Sequence, residues 1–128
     1  MAVLTCVLLL FLTFGDISAQ DPVKTDSDKY KIVLENERVR VLEYRDKPGE
    51  KTTMHAHPDF VVLARSAFKR QLALPGGKTV VREFKAGEVM WTDAHSHIGE
   101  NIGETETHVL IIELKEHRKP QTGGTKPQ

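Results

Sequence analysis

Cysteine is almost absent from this chain of 128 residues, which contains only Cys6. A single thiol cannot form an intramolecular disulfide, and it cannot supply a metal site built from several thiolates. The sequence also contains no GxSxG, HExxH, Walker or CxxC pattern. It therefore gives no support for a serine hydrolase, a zincin, a nucleotide-binding protein or a thiol oxidoreductase.

The chain has no excess of charge of either sign, because 18 basic residues are matched by 18 acidic ones. Nucleic-acid-binding proteins and polybasic membrane surfaces concentrate Lys and Arg, so the composition argues against both kinds of partner. The share of hydrophobic residues, 39%, and of charged residues, 28%, is typical of a folded globular protein. A chain of this length accommodates one domain and excludes a second catalytic domain.

Long hydrophobic runs are also scarce. The main one, 2–14, is uncharged but shorter than the roughly 20 residues that a membrane-spanning helix needs. It is followed by small residues up to Ala19, the pattern of a secretory signal peptide and its cleavage site. We therefore expect 1–19 to be a signal peptide. The mature protein would be secreted or periplasmic, with no membrane attachment after cleavage.

The remaining sequence divides into three parts. Residues 20–29 are polar and aperiodic and predict a linker, whereas 117–128 are rich in Pro, Gly and charge and predict a flexible tail. Between them, 30–116 alternates apolar and polar residues at period two, which is typical of β-strands. The predicted strands are Lys31–Leu34, Arg38–Tyr44, Lys51–His57, Phe60–Arg65, Gln71–Leu74, Thr79–Phe84, Val89–Thr92 and His108–Leu114.

Glycine and proline separate these strands at short, regular intervals, as in a sandwich or barrel. Eight short strands in a single domain favour an all-β jelly-roll barrel. Arg82, with Glu83, Lys85 and Glu88, predicts an ordinary exposed, charged strand face. The predicted turns are Pro48–Gly49, Pro75–Gly77, Ala86–Gly87 and Gly99–Gly103.

The last predicted strand is apolar on both faces. We expect its interior face to be the one that carries His108, with His108 itself a core histidine. A strand that is apolar on both sides needs cover on both, which favours a homodimer. The interior face would hold His108, Leu110, Ile112 and Leu114, and the opposite face Val109, Ile111 and Glu113.

Four of the six histidines form two HxH pairs, His55 with His57 and His95 with His97. Residues two apart in a strand point to the same face, so each pair can direct two imidazoles towards one point. Imidazole suits Fe, Mn, Zn and Ni without selecting among them. The pairs therefore predict a site for a divalent transition metal.

These residues resemble the two motifs of the cupin family, Gx5HxHx3-4Ex6G and Gx5PxGx2Hx3N. Gly49, His55 and His57 reproduce the first half of the first motif. Gly87 begins a segment that resembles the second motif and includes His97 and Asn101. The likeness covers roughly 31–116. It implies a cupin-like double-stranded β-helix in which His55, His57 and His97 bind the metal.

The sequence departs from both motifs. Val61 and Val62 stand where the family has its metal-binding glutamate, and Phe68 and Lys69 stand near the place of the closing glycine. In the second motif Asp93 replaces the proline and His95 replaces the glycine, and the spacing to His97 is one residue shorter. The three histidines are thus left without the carboxylate ligand of the family.

Two nearby residues are candidates for an additional ligand. Asp59 is in phase with His57, and His95 is in phase with His97. Asp59 also permits a rival site, in which His57, Asp59 and His97 form the two-histidine, one-carboxylate triad of non-haem iron oxygenases. The alternative places Asp59 in a solvent-facing turn and His95 on an exposed loop.

The cupin resemblance implies a metal-dependent enzyme of dioxygenase or isomerase type acting on a small molecule. One alternative is a non-catalytic barrel that binds metal or a small ligand, and loss of the glutamate favours it. A further alternative is a structural barrel with vestigial histidines. Cupins have many functions, so the fold does not decide among these.

Overall fold

The computed structural model describes residues 20–115, and the predicted signal peptide, 1–19, and tail, 117–128, lie outside this range. The described residues form one short helix and nine strands. In chain order these are α1 (Pro22–Thr25), β1 (Tyr30–Glu35), β2 (Val39–Asp46), β3 (His55–His57), β4 (Phe60–Ala64), β5 (Phe68–Ala73), β6 (Thr79–Phe84), β7 (Val89–Thr92), β8 (His95–Asn101) and β9 (Thr107–Leu114).

The strands form two sheets in which every pair of neighbours is antiparallel. One sheet has the order β1-β2-β9-β4-β7, and the other has the order β3-β8-β5-β6. The prediction of an all-β architecture is confirmed. Within residues 20–115 no helix has the length and apolar character needed to cross a membrane.

The core lies between the inner faces of the two sheets. Strand β4 buries every second residue, as expected for a strand with one face in the core: Phe60, Val62 and Ala64 are buried and the residues between them are less so. Mostly aromatic and β-branched side chains from both sheets complete this core, and Leu42, Tyr44 and Ala64 are its most buried members. The other core residues are Tyr30, Phe68, Phe84, Val109 and Ile111.

Strand β9 has the opposite phase to the one predicted. Its buried residues are Thr107, Val109, Ile111 and Glu113, whereas His108 and the leucines that alternate with them are half-buried. His108 is therefore not a core histidine, and its Nε2 instead lies 2.8 Å from Oε1 of Glu43. The prediction failed because both faces are apolar, so hydrophobicity did not distinguish them. An acidic residue marked the inner face.

Strand β8 was missed, because Gly99–Gly103 was interpreted as a turn. In the structure β8 continues through Gly99 to Asn101 and pairs with both β3 and β5. A Cβ added at Gly99 would lie 2.2 Å from Nη2 of Arg70, so glycine here makes room for a side chain on the neighbouring strand. The turn follows at 102–106.

Two other predicted turns are present in the structure. Gly49 and Gly87, the first glycines of the two cupin-like segments, have φ angles of +84° and +89°. Glycine occupies this left-handed region without the steric cost that other residues incur. The Gly49 turn precedes β3, which carries His55 and His57, and the Gly87 turn precedes β7.

The segment 20–29, predicted to be a linker, is folded onto the sheets. Asp21 caps α1 by accepting a hydrogen bond from the Val23 backbone N–H, and Pro22 is buried. Asp26 is also buried and accepts from the Thr53 backbone N–H at 2.9 Å. The polar residues that predicted a linker instead accept hydrogen bonds from the backbone of α1 and of the loop before β3. Composition alone does not distinguish such residues from polar residues that contact only water.

Candidate metal centre

Strands β3 and β8 bring three histidines together. The two strands are antiparallel, with His55 opposite His97 and His57 opposite His95. His55, His57 and His97 are all buried, and one ring nitrogen of each lies within 4.8 Å of the others. The structure therefore assembles the three histidines expected from the cupin-like segments into one cluster.

Backbone geometry fixes the tautomer of His55. Its Nδ1 lies 2.8 Å from the carbonyl oxygen of Thr53, which can only accept a hydrogen bond. Nδ1 consequently carries the hydrogen, and Nε2 presents its lone pair. The hydroxyl of Tyr30, 3.1 Å from that Nε2, is then the donor in their contact.

A buried carboxylate fixes His57 in the same way. Nδ1 of His57 donates to Oε1 of Glu113 at 2.6 Å, while Oε2 of Glu113 accepts from Nε of Arg40 at 2.6 Å. Arg40 is held in turn by Asp21 at 2.9 Å. Burial opposes ionisation of Glu113, but the hydrogen bonds from His57 and Arg40 outweigh it and lower the pKa of Glu113. The carboxylate therefore remains an acceptor.

His97 is oriented by its neighbour on the same strand. His95 donates from Nδ1 to the Asp93 carbonyl oxygen at 2.8 Å, so its Nε2 must accept. That Nε2 lies 2.8 Å from Nδ1 of His97, which is therefore the donor. The free nitrogen of His97 is again Nε2, with its lone pair exposed.

The resulting donor set fits a metal ion. The Nε2 atoms of His55 and His57 are 3.0 Å apart, and neither carries a hydrogen in these tautomers. In these tautomers two lone pairs face each other at this distance, an arrangement that a cation bound between them would stabilise. The separation is also short enough for both nitrogens to reach one ion at about 2.1 Å. Imidazole ligands with their second nitrogen bonded to a carboxylate or carbonyl are typical of metal sites.

Burial keeps two of the rings in the neutral form that a metal requires. Desolvation, reinforced by the nearby His57, lowers the pKa of His55 to about 4. Desolvation, reinforced by His55, lowers the pKa of His97 to about 2. Both rings are therefore neutral at neutral pH, with the hydrogen on Nδ1 and none on Nε2.

The structure does not bring the two additional candidate ligands into the cluster. His95 supports His97 through a hydrogen bond instead of joining the three. Oδ1 of Asp59 accepts from the Ala94 backbone N–H at 2.8 Å, so Asp59 connects the turn after β3 to the start of β8. The rival triad of His57, Asp59 and His97 is accordingly not assembled.

Asn101, the last residue of the second cupin-like segment, has a structural role. Its side chain donates to the Thr105 carbonyl oxygen at 2.9 Å and to Oδ1 of Asp46 at 3.0 Å, and its own oxygen accepts from Gly103. These contacts close the turn that follows β8. Asn101 is therefore not a ligand.

Sequence reasoning missed Glu113 and Arg40, which come from β9 and β2. The available signal was an acidic residue in an otherwise apolar strand, because a buried carboxylate requires a partner. No comparable signal identified Arg40. It lies opposite Glu113 in the β2–β9 register, which only the assembled sheet reveals.

The histidine cluster opens into a cavity of about 440 Å³ between the two sheets. A volume of this order suits a small organic ligand. His57, His97 and the hydroxyl-bearing Tyr30 and Tyr44 contribute to the lining, and most of the rest is apolar. The apolar lining includes Phe60, Val62, Phe68, Leu72, Leu74, Val80, Phe84, Met90, Val109 and Ile111.

Comparison with known proteins places this architecture in a family. No family model matches the sequence, and no curated protein matches it. Among solved structures, a cupin domain from Bordetella pertussis is 30% identical, with 68% of this chain and 92% of that domain covered and a TM-score of 0.62.

More distant structures share the fold. A conserved protein with a double-stranded β-helix domain from Klebsiella pneumoniae is 20% identical over 67% of this chain and 75% of its own, with a TM-score of 0.54. A cupin superfamily protein from Desulfitobacterium hafniense is 16% identical over 68% and 76%, with a TM-score of 0.52. Together with the match to nearly the whole B. pertussis domain, these likenesses show that the chain belongs to the cupin superfamily and has its double-stranded β-helix fold.

Proposed function

We propose that the protein binds one divalent transition-metal ion through His55, His57 and His97 and acts as a metal-dependent enzyme on a small molecule. The observation that carries this proposal is the shared tautomer of the three rings. Each donates its Nδ1 hydrogen to a neighbouring acceptor, so each directs an unprotonated Nε2 to the cluster. A transition-metal ion can accept all three lone pairs, replacing the Tyr30 hydroxyl that donates to Nε2 of His55 in its absence.

The ligand set suits iron, manganese, zinc or nickel, because neutral imidazole binds all of them. Within residues 20–115 the cluster contains three protein ligands and no carboxylate. Catalytic metal sites have such a set, with a coordination position open to water or substrate. Structural zinc sites instead fill four positions with protein ligands.

When bound, the ion would act as a Lewis acid towards a substrate oxygen. The protein's own residues position that substrate and exclude water. The apolar cavity walls desolvate it, and the Glu113–Arg40 pair holds His57 in one orientation. Burial raises the pKa of Tyr30 well above its usual value, so its hydroxyl stays protonated. That hydroxyl donates to Nε2 of His55 and would be free to donate to a substrate once this nitrogen binds the ion.

Dioxygenases and isomerases are the reaction classes that we propose to test first. Both use an ion that is open to a small substrate within a water-poor barrel. The protein's match to the B. pertussis cupin domain supports the family but does not select a reaction. The alternative, a binding barrel without turnover, uses the same three ligands.

Elemental analysis tests the metal site directly. Protein purified without chelator, and then reconstituted anaerobically with Fe(II), Mn(II), Zn(II) or Ni(II), is expected to hold close to one ion per chain. His97→Ala and a His55→Ala/His57→Ala double variant are expected to lose it. His108→Ala is the matched control, because His108 bonds to Glu43 outside the cluster and should leave the metal content unchanged.

The outcomes separate the alternatives. Metal retained by His97→Ala, or absent from wild-type protein after reconstitution with each ion, would contradict both the enzyme and the metal-binding barrel. One ion per chain with no turnover of any diol, keto acid or sugar acid tested would favour the binding barrel. Circular dichroism of each variant shows whether loss of metal merely follows loss of the fold.

A further inference from the structure

Two arginines lie opposite each other in the wall of the cavity, Arg70 largely buried and Arg82 exposed to solvent. Arg70 on β5 is the direct cross-strand partner of Arg82 on β6, and both line the cavity. Their strands present the same inward face there, since Phe68 is likewise paired with Phe84 and the two rings stack at 4.8 Å. Arg82 is exposed, as the sequence predicted, but it lies on the strand face that lines the cavity.

Like charges placed directly opposite each other destabilise a sheet. Here the repulsion is only partly offset by protein groups. Among residues 20–115, no carboxylate forms a salt bridge with Arg82. Arg70 has one, Asp46, at 3.4 Å. One carboxylate, Asp93, lines the same cavity, but it accepts a hydrogen bond from Trp91 and forms no salt bridge with either arginine among the described residues. Arg82 is therefore paired only with solvent there, and Arg70 only with Asp46.

Arg70 is held in place as a preorganised donor. Its guanidinium lies 4.9 Å from the centre of the Tyr44 ring, and its Nη2 donates to the Tyr44 hydroxyl at 3.2 Å. The absence of a side chain at Gly99 provides the space that Nη2 occupies. Arg70 is largely buried, with 11% of its side chain exposed.

Asp46 neutralises the charge of Arg70 only in part, because both of its carboxylate oxygens also accept hydrogen bonds from other side chains. Oδ2 also accepts from the Tyr44 hydroxyl, and Oδ1 accepts from the Asn101 side chain at 3.0 Å. The guanidinium has five N–H donors, of which the described residues engage two. Donors remain for a ligand that enters the cavity.

We infer that Arg70 and Arg82 form an anion subsite, and that the natural ligand is a small organic acid. Its carboxylate would lie between the two guanidiniums, and its apolar body would lie against the surrounding walls. Guanidinium groups match the planar geometry of carboxylates, which accounts for two arginines in a mostly apolar cavity. This inference rests on the proposed function for the substrate's role, but the subsite itself requires no metal.

Trp91 provides the measurement, because it is the only tryptophan of the chain and lines the same cavity. Its fluorescence is recorded while EDTA-treated protein is titrated with benzoate and, separately, with benzamide, which has a similar shape but no charge. Benzoate is expected to bind at least about tenfold more tightly, as hydrogen bonds to a charged group do. The same titrations with metal-loaded protein show what the ion adds.

Arg82→Gln is the main variant, since within residues 20–115 Arg82 forms no salt bridge whose loss would destabilise the fold. It is expected to weaken benzoate binding at least about tenfold and to leave benzamide unchanged. Arg65→Gln is the matched control, because Arg65 is exposed and does not line the cavity. Arg70→Lys is a second variant that keeps the charge but removes the guanidinium geometry, and it should also weaken benzoate.

Equal binding of benzoate and benzamide, or wild-type benzoate affinity in Arg82→Gln, would overturn the subsite. A metal-free protein that binds benzoate through Arg82 while failing to bind metal would retain the subsite and contradict only the proposed function. Benzoate binding that requires metal and is unaffected at Arg82 would instead assign the carboxylate to the ion.

Discussion

Glu113 and His57 share a 2.6 Å hydrogen bond in the interior of the barrel, across the space between β9 and β3. The bond joins the two sheets at the histidine cluster. It also explains why a carboxylate is buried: Glu113 accepts from His57 on one oxygen and from Arg40 on the other. β4 carries Val61 and Val62 in place of the cupin motif's metal-binding glutamate. Glu113 is a different acid, and it orients His57 by a hydrogen bond to the nitrogen that faces away from the cluster.

Replacing Glu113 with Gln should weaken both the fold and the metal site. The amide preserves shape but removes one of the two carboxylates that pair with Arg40, which keeps its contact with Asp21, so a cost of about 1–3 kcal/mol in unfolding free energy is expected. Metal affinity should fall about 10–100-fold, as is typical when the group that orients a ligating histidine is removed. Urea unfolding and a metal titration against a chelator measure the two effects.

Glu43→Gln is the comparison for that variant. Glu43 also contacts a histidine, His108, but does so outside the cavity and away from the cluster. The Glu43→Gln substitution should leave metal affinity unchanged and should have no measurable effect on the free energy of unfolding. Equal effects of the two substitutions would show that Glu113 has no special connection to the metal centre.

The same contrast shows what the sequence could and could not reveal. The histidines of β3 and β8 were identifiable because period two places His55 and His57 on one face, and because the motif spacing extends to His97. Glu113 was not, since Val109 and Ile111 look like Leu110 and Ile112 in a hydrophobicity pattern. Only the packing of β9 against β2 and β4 decides which set points inward.

Arg70 and Arg82 illustrate a second limit. The alternation of apolar and polar residues assigns each arginine to one face of its strand. It does not reveal that this face lines the cavity. The decisive facts are the β5–β6 register, which pairs the two residues, and the proximity of Gly99 to Arg70. Both facts depend on contacts between strands that are separated in the sequence. A glycine within a strand, such as Gly99, also predicts a turn when only the local sequence is considered.

His95 is expected to act on metal binding through His97 rather than by coordination. His95→Ala removes the acceptor for Nδ1 of His97 and should lower metal affinity about 10–100-fold. His95→Gln offers an amide oxygen near the same position and should restore part of the loss. Isothermal titration with Zn(II) of both variants distinguishes this from direct ligation, for which Gln and Ala would be equally poor.

Gly99→Ala should displace Arg70. The new Cβ would lie 2.2 Å from Nη2 and 3.1 Å from Cζ of Arg70, so the guanidinium must leave the Tyr44 hydroxyl and Asp46. A loss of about 1–3 kcal/mol in unfolding free energy is expected for such overpacking. Chemical denaturation measures it. In an Arg70→Lys background the same substitution should cost less, because the shorter ammonium leaves room; equal costs in both backgrounds would show that Arg70 is not the obstacle.

Acid should destabilise the metal-free protein from about pH 6.5 downwards. In the folded chain the pKa values of His55 and His97 are lowered to about 4 and about 2, chiefly by burial, while both rings recover a value of 6.5 on unfolding. Below pH 6.5 the unfolded chain therefore binds protons that the folded chain excludes, and stability falls as the pH falls. Each group contributes up to about 1.4 kcal/mol per pH unit between its two pKa values. Urea unfolding of EDTA-treated protein is measured at intervals from pH 8 to pH 5. The free energy of unfolding should be nearly constant above pH 6.5 and should decrease below it. His97→Asn, which cannot titrate, should show about half of that decline, and a variant with the full wild-type slope would exclude His97 as its source.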